Sequence, residues 1–110
     1  MATNDETPIF LLVLAKGMTE AWYQLSKAEQ EQLWAKVEAI DAQAGVTWLL
    51  SCSSRWCDEE CFRWTVGKYP SMAAYRAKVL ALEQLDWWRY FTGKTILGTE
   101  LDMARALDHV

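Results

Sequence analysis

The chain has 110 residues, 52% of them hydrophobic and 24% charged, with a formal net charge of −4. That composition suits one folded domain with a modest core and excludes an intrinsically disordered chain. Lys and Arg are scattered without the basic stripe a nucleic-acid backbone requires, and the longest apolar run, Ile9 to Ala15, falls far short of the ~20 residues of a membrane span.

The opening "MATNDETP" is polar and acidic. It has no basic segment of the kind that starts a secretory signal, so a cytoplasmic protein with reduced thiols is expected, residues 1–8 being a disordered lead-in. Ile9 to Gly17 is apolar at every position until Lys16, as in a strand buried on both faces. Thr19 to Gln24 has room for one extra helical turn. Ser26 and Glu29 then form a capping box, in which the hydroxyl and the carboxylate each satisfy an orphan N–H at a helix start. Leu33, Val37, Ile40 and Ala44 recur at helical spacing with Trp34 beside them, flanked by Glu31, Lys36, Glu38 and Asp41. Gly45 suits the position after the last turn, which predicts a helix over 27–44.

Two alternating stretches follow, Val46 to Ser54 and Cys61 to Pro70. In the first, alternation sets Trp48, Leu50 and Cys52 on one side and Thr47, Leu49, Ser51 and Ser53 on the other. In the second, Phe62, Trp64 and Val66 share a face, and Arg63, Thr65, Gly67 and Tyr69 share the opposite one. They predict an antiparallel hairpin turning near Asp58, Glu59 and Glu60. Ser71 is a good N-cap for a second helix with Met72, Tyr75, Val79 and Leu82 along one stripe. The aromatic end, Leu85 to Phe91, reads as a bent continuation stopped by Gly93. Thr95 to Leu101 is the last strand, and residues 102–110 form a tail.

The order βαββαβ is that of a ferredoxin-like α+β domain over residues 9–101: a four-stranded antiparallel sheet with two helices on one face. Nothing in the chain covers the other face, yet the first strand is apolar on both sides. A second copy is the simplest cover, so the chain is expected to form a homodimer through that face.

On the both-sides-apolar "IFLLVLA", and on "DWWRYF" leading into "TGKTIL" through Gly93, the chain resembles the dimeric α+β-barrel superfamily. "EAWYQLSKAEQEQLW" followed by "WWRYF" is also similar to the small darcynin-type proteins of that architecture. The resemblance implies subunits paired sheet to sheet, each enclosing a pocket. It spans antibiotic-biosynthesis-type monooxygenases, haem-degrading enzymes, muconolactone-isomerase-like and stress-responsive proteins, so fold membership alone assigns no chemistry. Haem-degrading relatives use a histidine on the second helix as the iron ligand. Here Ser71 to Phe91 contains none, and the single histidine is His109. No cofactor is expected.

Cys52, Cys57 and Cys61 are spaced C-x4-C-x3-C. A structural zinc site wants four ligands, commonly as paired C-x2-C units, and no fourth cysteine or nearby histidine completes this set; no metal is expected. Cys57 and Cys61 could pair across the hairpin, but so small a loop would gain only roughly 2 kcal/mol. The plain reading is a small core residue at Cys52 and two thiols at strand ends. There is no Ser-His-Asp or Cys-His arrangement and no phosphate-binding glycine loop.

Candidate ligand-binding residues are Ser51, Ser53, Arg63, Thr65 and Tyr69, which share one mixed face by parity, with Trp88. If Phe62, Trp64 and Val66 face the helices, that mixed face looks into the dimer space. Arg63 would hold a carboxylate or phenolate, or else make an ion pair at the subunit interface. Trp87 and Trp88 point about 100° apart on a helix, so one packs inward while the other covers a pocket mouth or meets a partner. The reading that follows is a small-molecule-binding homodimer acting on an aromatic or apolar ligand, with cofactor-free monooxygenase- or isomerase-like chemistry in which Arg63 stabilises charge and Tyr69 donates a proton. The alternatives are a non-catalytic interaction or stress-response module with a filled interface, and a thiol sensor at Cys57. No nucleic-acid or membrane partner is expected.

Overall fold

The computed structural model describes residues 7–104. Most of the expected N-terminal lead-in and of the C-terminal tail, His109 included, lies outside the described residues. Strand β1 (Ile9–Met18) leads through a short helix α1 (Glu20–Tyr23) into the long helix α2 (Lys27–Gln43). Strands β2 (Thr47–Ser53) and β3 (Arg63–Tyr69) follow, then helix α3 (Met72–Gln84), a 3-10 turn at Trp87–Arg89, and strand β4 (Phe91–Gly98). The sheet order is β2-β3-β1-β4 and every pairing is antiparallel, the ferredoxin-like arrangement. No helix among the described residues is long and apolar enough to cross a membrane.

Local chemistry accounts for the helix ends. Ser26 Oγ accepts from the Glu29 amide at 3.1 Å while Glu29 Oε1 accepts from the Ser26 amide at 2.9 Å, closing the capping box. The Ser26 amide, and after it the Ser26 side chain, hydrogen-bond to the Glu29 carboxylate and hold it below its ordinary pKa. Ser71 Oγ accepts from the Ala74 amide in the same way at the start of α3. Gly45 takes up a φ of +76° after α2, a left-handed position that glycine adopts without strain.

The end of α3 departs from the sequence expectation. Asp86 has a φ of +59° and breaks the chain out of the helix. Trp87 is thereby swung into the core with Val37 and Leu82, stacked on Phe91 at 5.7 Å and edge-on to Trp22. Strand β4 then begins at Phe91, four residues before the expected Thr95, and Gly93 is a strand residue opposite Ala15 rather than a helix stop. A Cβ at Gly93 would lie 2.7 Å from the Leu14 carbonyl oxygen. The aromatic run "WWRYF" is thus a turn that feeds a strand.

The faces of the hairpin are the second correction. Tyr69 is fully buried and its hydroxyl donates to Asp41 of α2, which puts the odd-numbered residues of β3 under the helices. Trp64 and Val66 therefore point to the open face, not to the helices. In β2 a bulge between Trp48 and Leu50 changes the parity part-way: Trp48 pairs with Gly67, but Leu50 pairs with Val66. Trp48 falls on the helix side with Ser51 and Ser53, while Leu50 and Cys52 lie on the open side opposite Val66 and Trp64. Gly67 is required where the rings cross, since a Cβ there would stand 2.7 Å from the Trp48 ring and 2.9 Å from Leu11.

The open face carries Phe10, Leu12, Leu14, Leu50, Cys52, Trp64, Val66 and Ile96. Their registers across β1, β2, β3 and β4 make them neighbours. In the single chain Leu50 and Ile96 are exposed and Leu12, Leu14, Trp64 and Val66 half-buried.

Candidate functional site

A cleft of about 520 Å3 opens between the helix-covered face of the sheet and the two long helices. The sheet contributes Val13, Ala15, Ser51, Arg63, Thr65 and Thr95; α2 contributes Trp34, Val37, Glu38 and Asp41; α3 contributes Tyr75, Lys78, Val79 and Leu82. Trp48, Trp87, Trp88 and Phe91 complete an aromatic lining. The volume is that of a drug-sized ligand, and a mostly apolar wall with a few convergent polar groups is the usual form of such sites.

Of the sequence-derived candidates, the structure brings Ser51, Arg63, Thr65 and Trp88 to this one cleft. Ser51 Oγ donates to Thr65 Oγ1 across the β2–β3 pair at 3.2 Å. These residues belong to the helix side of a single subunit, away from the open sheet face, with Ser51, Arg63 and Trp88 exposed and Thr65 half-buried. Ser53 is exposed beyond the cleft rim. Tyr69 lies behind the cleft wall with its hydroxyl engaged by Asp41 at 3.2 Å. Burial, then the charge of Asp41, push the Tyr69 phenol far above its ordinary pKa, so it stays a protonated donor to that carboxylate.

The most concentrated chemistry in the cleft belongs to two residues the sequence reading left unassigned, Lys78 and Asp41. Lys78 Nζ lies 3.4 Å from Asp41 Oδ1, and the two side chains are only 11% and 14% exposed. The amine stands over the rings of Tyr69, Tyr75 and Trp48 at 5.1, 5.7 and 5.9 Å. Burial lowers the Lys78 pKa, while the Asp41 charge and hydrogen bond pull it back up; the net direction is down. A signal was present in the sequence. Asp41 follows Val37 by four residues and Lys78 follows Tyr75 by three, so both fall on the inward stripes of their helices.

The cysteine-rich segment forms a separate surface. The β2–β3 connection runs over residues 54–62 and is held by its own hydrogen bonds. Asp58 Oδ1 accepts from the Glu60 amide at 2.7 Å and the Cys61 amide at 3.0 Å, which lowers its pKa, the Cys61 bond contributing most. Trp56 Nε1 donates to the Ser53 carbonyl, and the Cys57 thiol, exposed, donates to the Ser54 carbonyl. All three cysteines are free thiols, and Cys52 sits on the open sheet face rather than with Trp48 in a core. Among the described residues no three His, Cys, Asp or Glu side chains gather as a metal site. The cleft wall contributed by α3 presents Tyr75, Lys78, Val79 and Leu82 and no imidazole, so it does not supply the histidine a haem iron would need.

No protein-family profile and no curated protein sequence matches the chain. Solved structures do. A candidate chlorite dismutase aligns over 91% of this chain at a TM-score of 0.67 and 12% identity. A hypothetical protein of Arabidopsis thaliana aligns over 92% of this chain and 95% of its own length, at a TM-score of 0.59 and 11% identity. A DABB-family protein with a ferredoxin-like fold, from Mesorhizobium loti, aligns over 87% of this chain and 99% of its own length, at a TM-score of 0.57 and 18% identity. The chain spans about half the length, 48%, of the first of these. None of the three is a darcynin by name. In fold the chain is a ferredoxin-like α+β protein.

Proposed function

We propose that the chain binds a flat aromatic or apolar small molecule in the cleft between its sheet and its helices, and pairs with a second copy through the open sheet face. The observation that carries the reading is the cleft itself: about 520 Å3, walled by Trp34, Trp48, Trp87, Trp88 and Phe91, with Arg63, Ser51 and Thr65 converging on it from the strands. Aromatic walls take a planar ligand by stacking. Arg63 faces a carboxylate or phenolate oxygen, and the two hydroxyls supply orientation. A contiguous apolar sheet face of the kind described above is a surface that water disfavours and a partner covers.

The reading extends to cofactor-free chemistry on that ligand, either isomerisation of an enolisable substrate or its oxidation by dioxygen. Arg63 stabilises the oxyanion that forms when the substrate loses a proton. Tyr69 is not the direct donor, since its hydroxyl is committed to Asp41. The rival, a filled interaction module, is disfavoured by the placement of Ser51, Arg63 and Thr65 around open space rather than on the apolar face.

Native mass spectrometry with parallel titration by 2-naphthol tests both halves. The expected result is a dimer and saturable quenching of tryptophan fluorescence, because four of the seven tryptophans line the cleft. A monomer at micromolar concentration removes the pairing, and unsaturable quenching removes the cleft.

A further inference from the structure

We propose that Lys78 captures the carbonyl group of an aromatic or apolar aldehyde or ketone as a Schiff base at the inner wall of the cleft. The inference rests on the small-molecule reading of that cleft and deepens it to a ligand class. Among the described residues Lys78 is the only lysine that lines the cleft. The amine is close to charge-neutral in its pairing: Asp41 at 3.4 Å cancels it. Such a pair is a poor anchor for an anion, a task left to Arg63, but it is well arranged for moving a proton.

Two influences compete at the amine. The carboxylate and the ring faces of Tyr69, Tyr75 and Trp48 favour the ammonium. Burial favours the neutral amine and prevails. A buried lysine that loses its proton more readily than a surface one is the kind that forms Schiff bases. Asp41 is the base already in contact with it, and the Tyr69 hydroxyl donates to that same Oδ1 atom, holding the carboxylate in place from behind.

The step balances without any co-reactant. The Asp41 carboxylate takes one proton from the Lys78 ammonium. The freed amine adds to the carbonyl carbon, giving a carbinolamine. Proton transfer to the carbinolamine oxygen lets it leave as water, and a C=N bond to Lys78 replaces the C=O bond of the ligand. Carbonyl compound and amine go to imine and water, with no change of oxidation state. The apolar lining limits the water that would reverse the reaction.

The test uses the full wild-type chain, 2-naphthaldehyde and sodium cyanoborohydride near neutral pH, with peptide mapping of the reduced adduct. The expected result is labelling of Lys78 at least about tenfold faster than of Lys16, Lys27, Lys36 or Lys94, as a lowered amine pKa and a binding cleft together imply. Excess 2-naphthol, which has the same shape and no carbonyl, should slow it. Lys78→Arg, checked by circular dichroism for an intact fold, should lose the fast adduct. Labelling spread evenly over the lysines, or none at Lys78, overturns the proposal. Naphthol quenching that persists without a Lys78 adduct overturns the Schiff base alone. Loss of both quenching and adduct overturns the cleft reading with it.

Discussion

Replacing Asp41 by Asn isolates the electrostatic role of the buried pair. The amide keeps an oxygen to accept the Tyr69 hydroxyl, so what is removed is the countercharge of Lys78. Leaving one member of a fully buried pair uncompensated costs about 3–5 kcal/mol. Lys78 and Asp41 retain 11% and 14% exposure, so we expect about 2–4 kcal/mol at neutral pH. With a urea slope of about 1.5 kcal/mol/M for a domain of this size, the midpoint should fall by about 1.3–2.7 M. The loss should also depend on pH. In the variant Lys78 is desolvated without its partner, so its folded pKa drops further below the unfolded value of about 10.4. The unfolded chain then binds more protons than the folded one, and stability rises with pH through the window between those two values. The deficit against wild type should therefore shrink from neutral pH toward pH ~10. The assay is urea denaturation followed by far-UV circular dichroism at fixed protein concentration and several pH values. Lys78→Met combined with Asp41→Asn should recover most of the loss, because no unpaired charge remains. A loss under about 0.5 kcal/mol that does not change with pH, the size of a surface pair, would refute the account.

Other outcomes follow from single features. Gly67→Ala puts a methyl between the Trp48 ring and Leu11 and should destabilise by about 1–3 kcal/mol, with a shift in tryptophan emission as Trp48 is pushed away; an unchanged thermal melt counts against that packing. Asp86→Gly relieves a left-handed residue and should be neutral or stabilising by up to about 1 kcal/mol, whereas a clear loss in a calorimetric scan would mean the Asp86 side chain has a role the backbone does not explain. Wild-type stability should decline above pH ~10, the ordinary tyrosine range. Burial raises the folded pKa of Tyr69 and Tyr75, so the folded state keeps protons that the unfolded state releases; a flat alkaline profile in urea melts would contradict this. On the open face, Leu12→Lys should shift the protein to monomer in analytical ultracentrifugation while leaving naphthol quenching in place, and a persisting dimer would move the interface elsewhere.

The fold was legible where local chemistry and pattern agree. Ser26 and Glu29 announce α2, Gly45 ends it, and the element order βαββαβ follows from the succession of apolar or alternating stretches and helical repeats. The faces of the hairpin were not legible, because one extra residue between Trp48 and Leu50 reverses the parity of half of β2 and no residue there marks a bulge. The boundary after α3 was missed for a related reason. The run Leu85 to Phe91 has the aromatic density of a buried helix, and only the left-handed backbone of Asp86 turns it into a strand. For the candidate cleft, parity grouped Arg63, Thr65 and Ser51 on one face, and the strand pairing does the same, but that face is the helix side and not the one open to a partner. Lys78 and Asp41 escaped notice because a charged residue on an inward stripe looks like a flank until its partner on the other helix is seen.

In the proposed reading, the alternation of β3 gives neighbouring residues two separate tasks. Arg63 and Thr65 turn to the cleft and Trp64 and Val66 to the open face, so a ligand and a partner chain would touch opposite sides of one ribbon and never each other. Substitutions can then tune affinity for one without altering the other, residue by residue. An insertion or deletion of a single residue has no such freedom, because it would exchange both surfaces at once. Length variation should therefore collect in the 54–62 connection, and β3 itself should change in side chains but not in length.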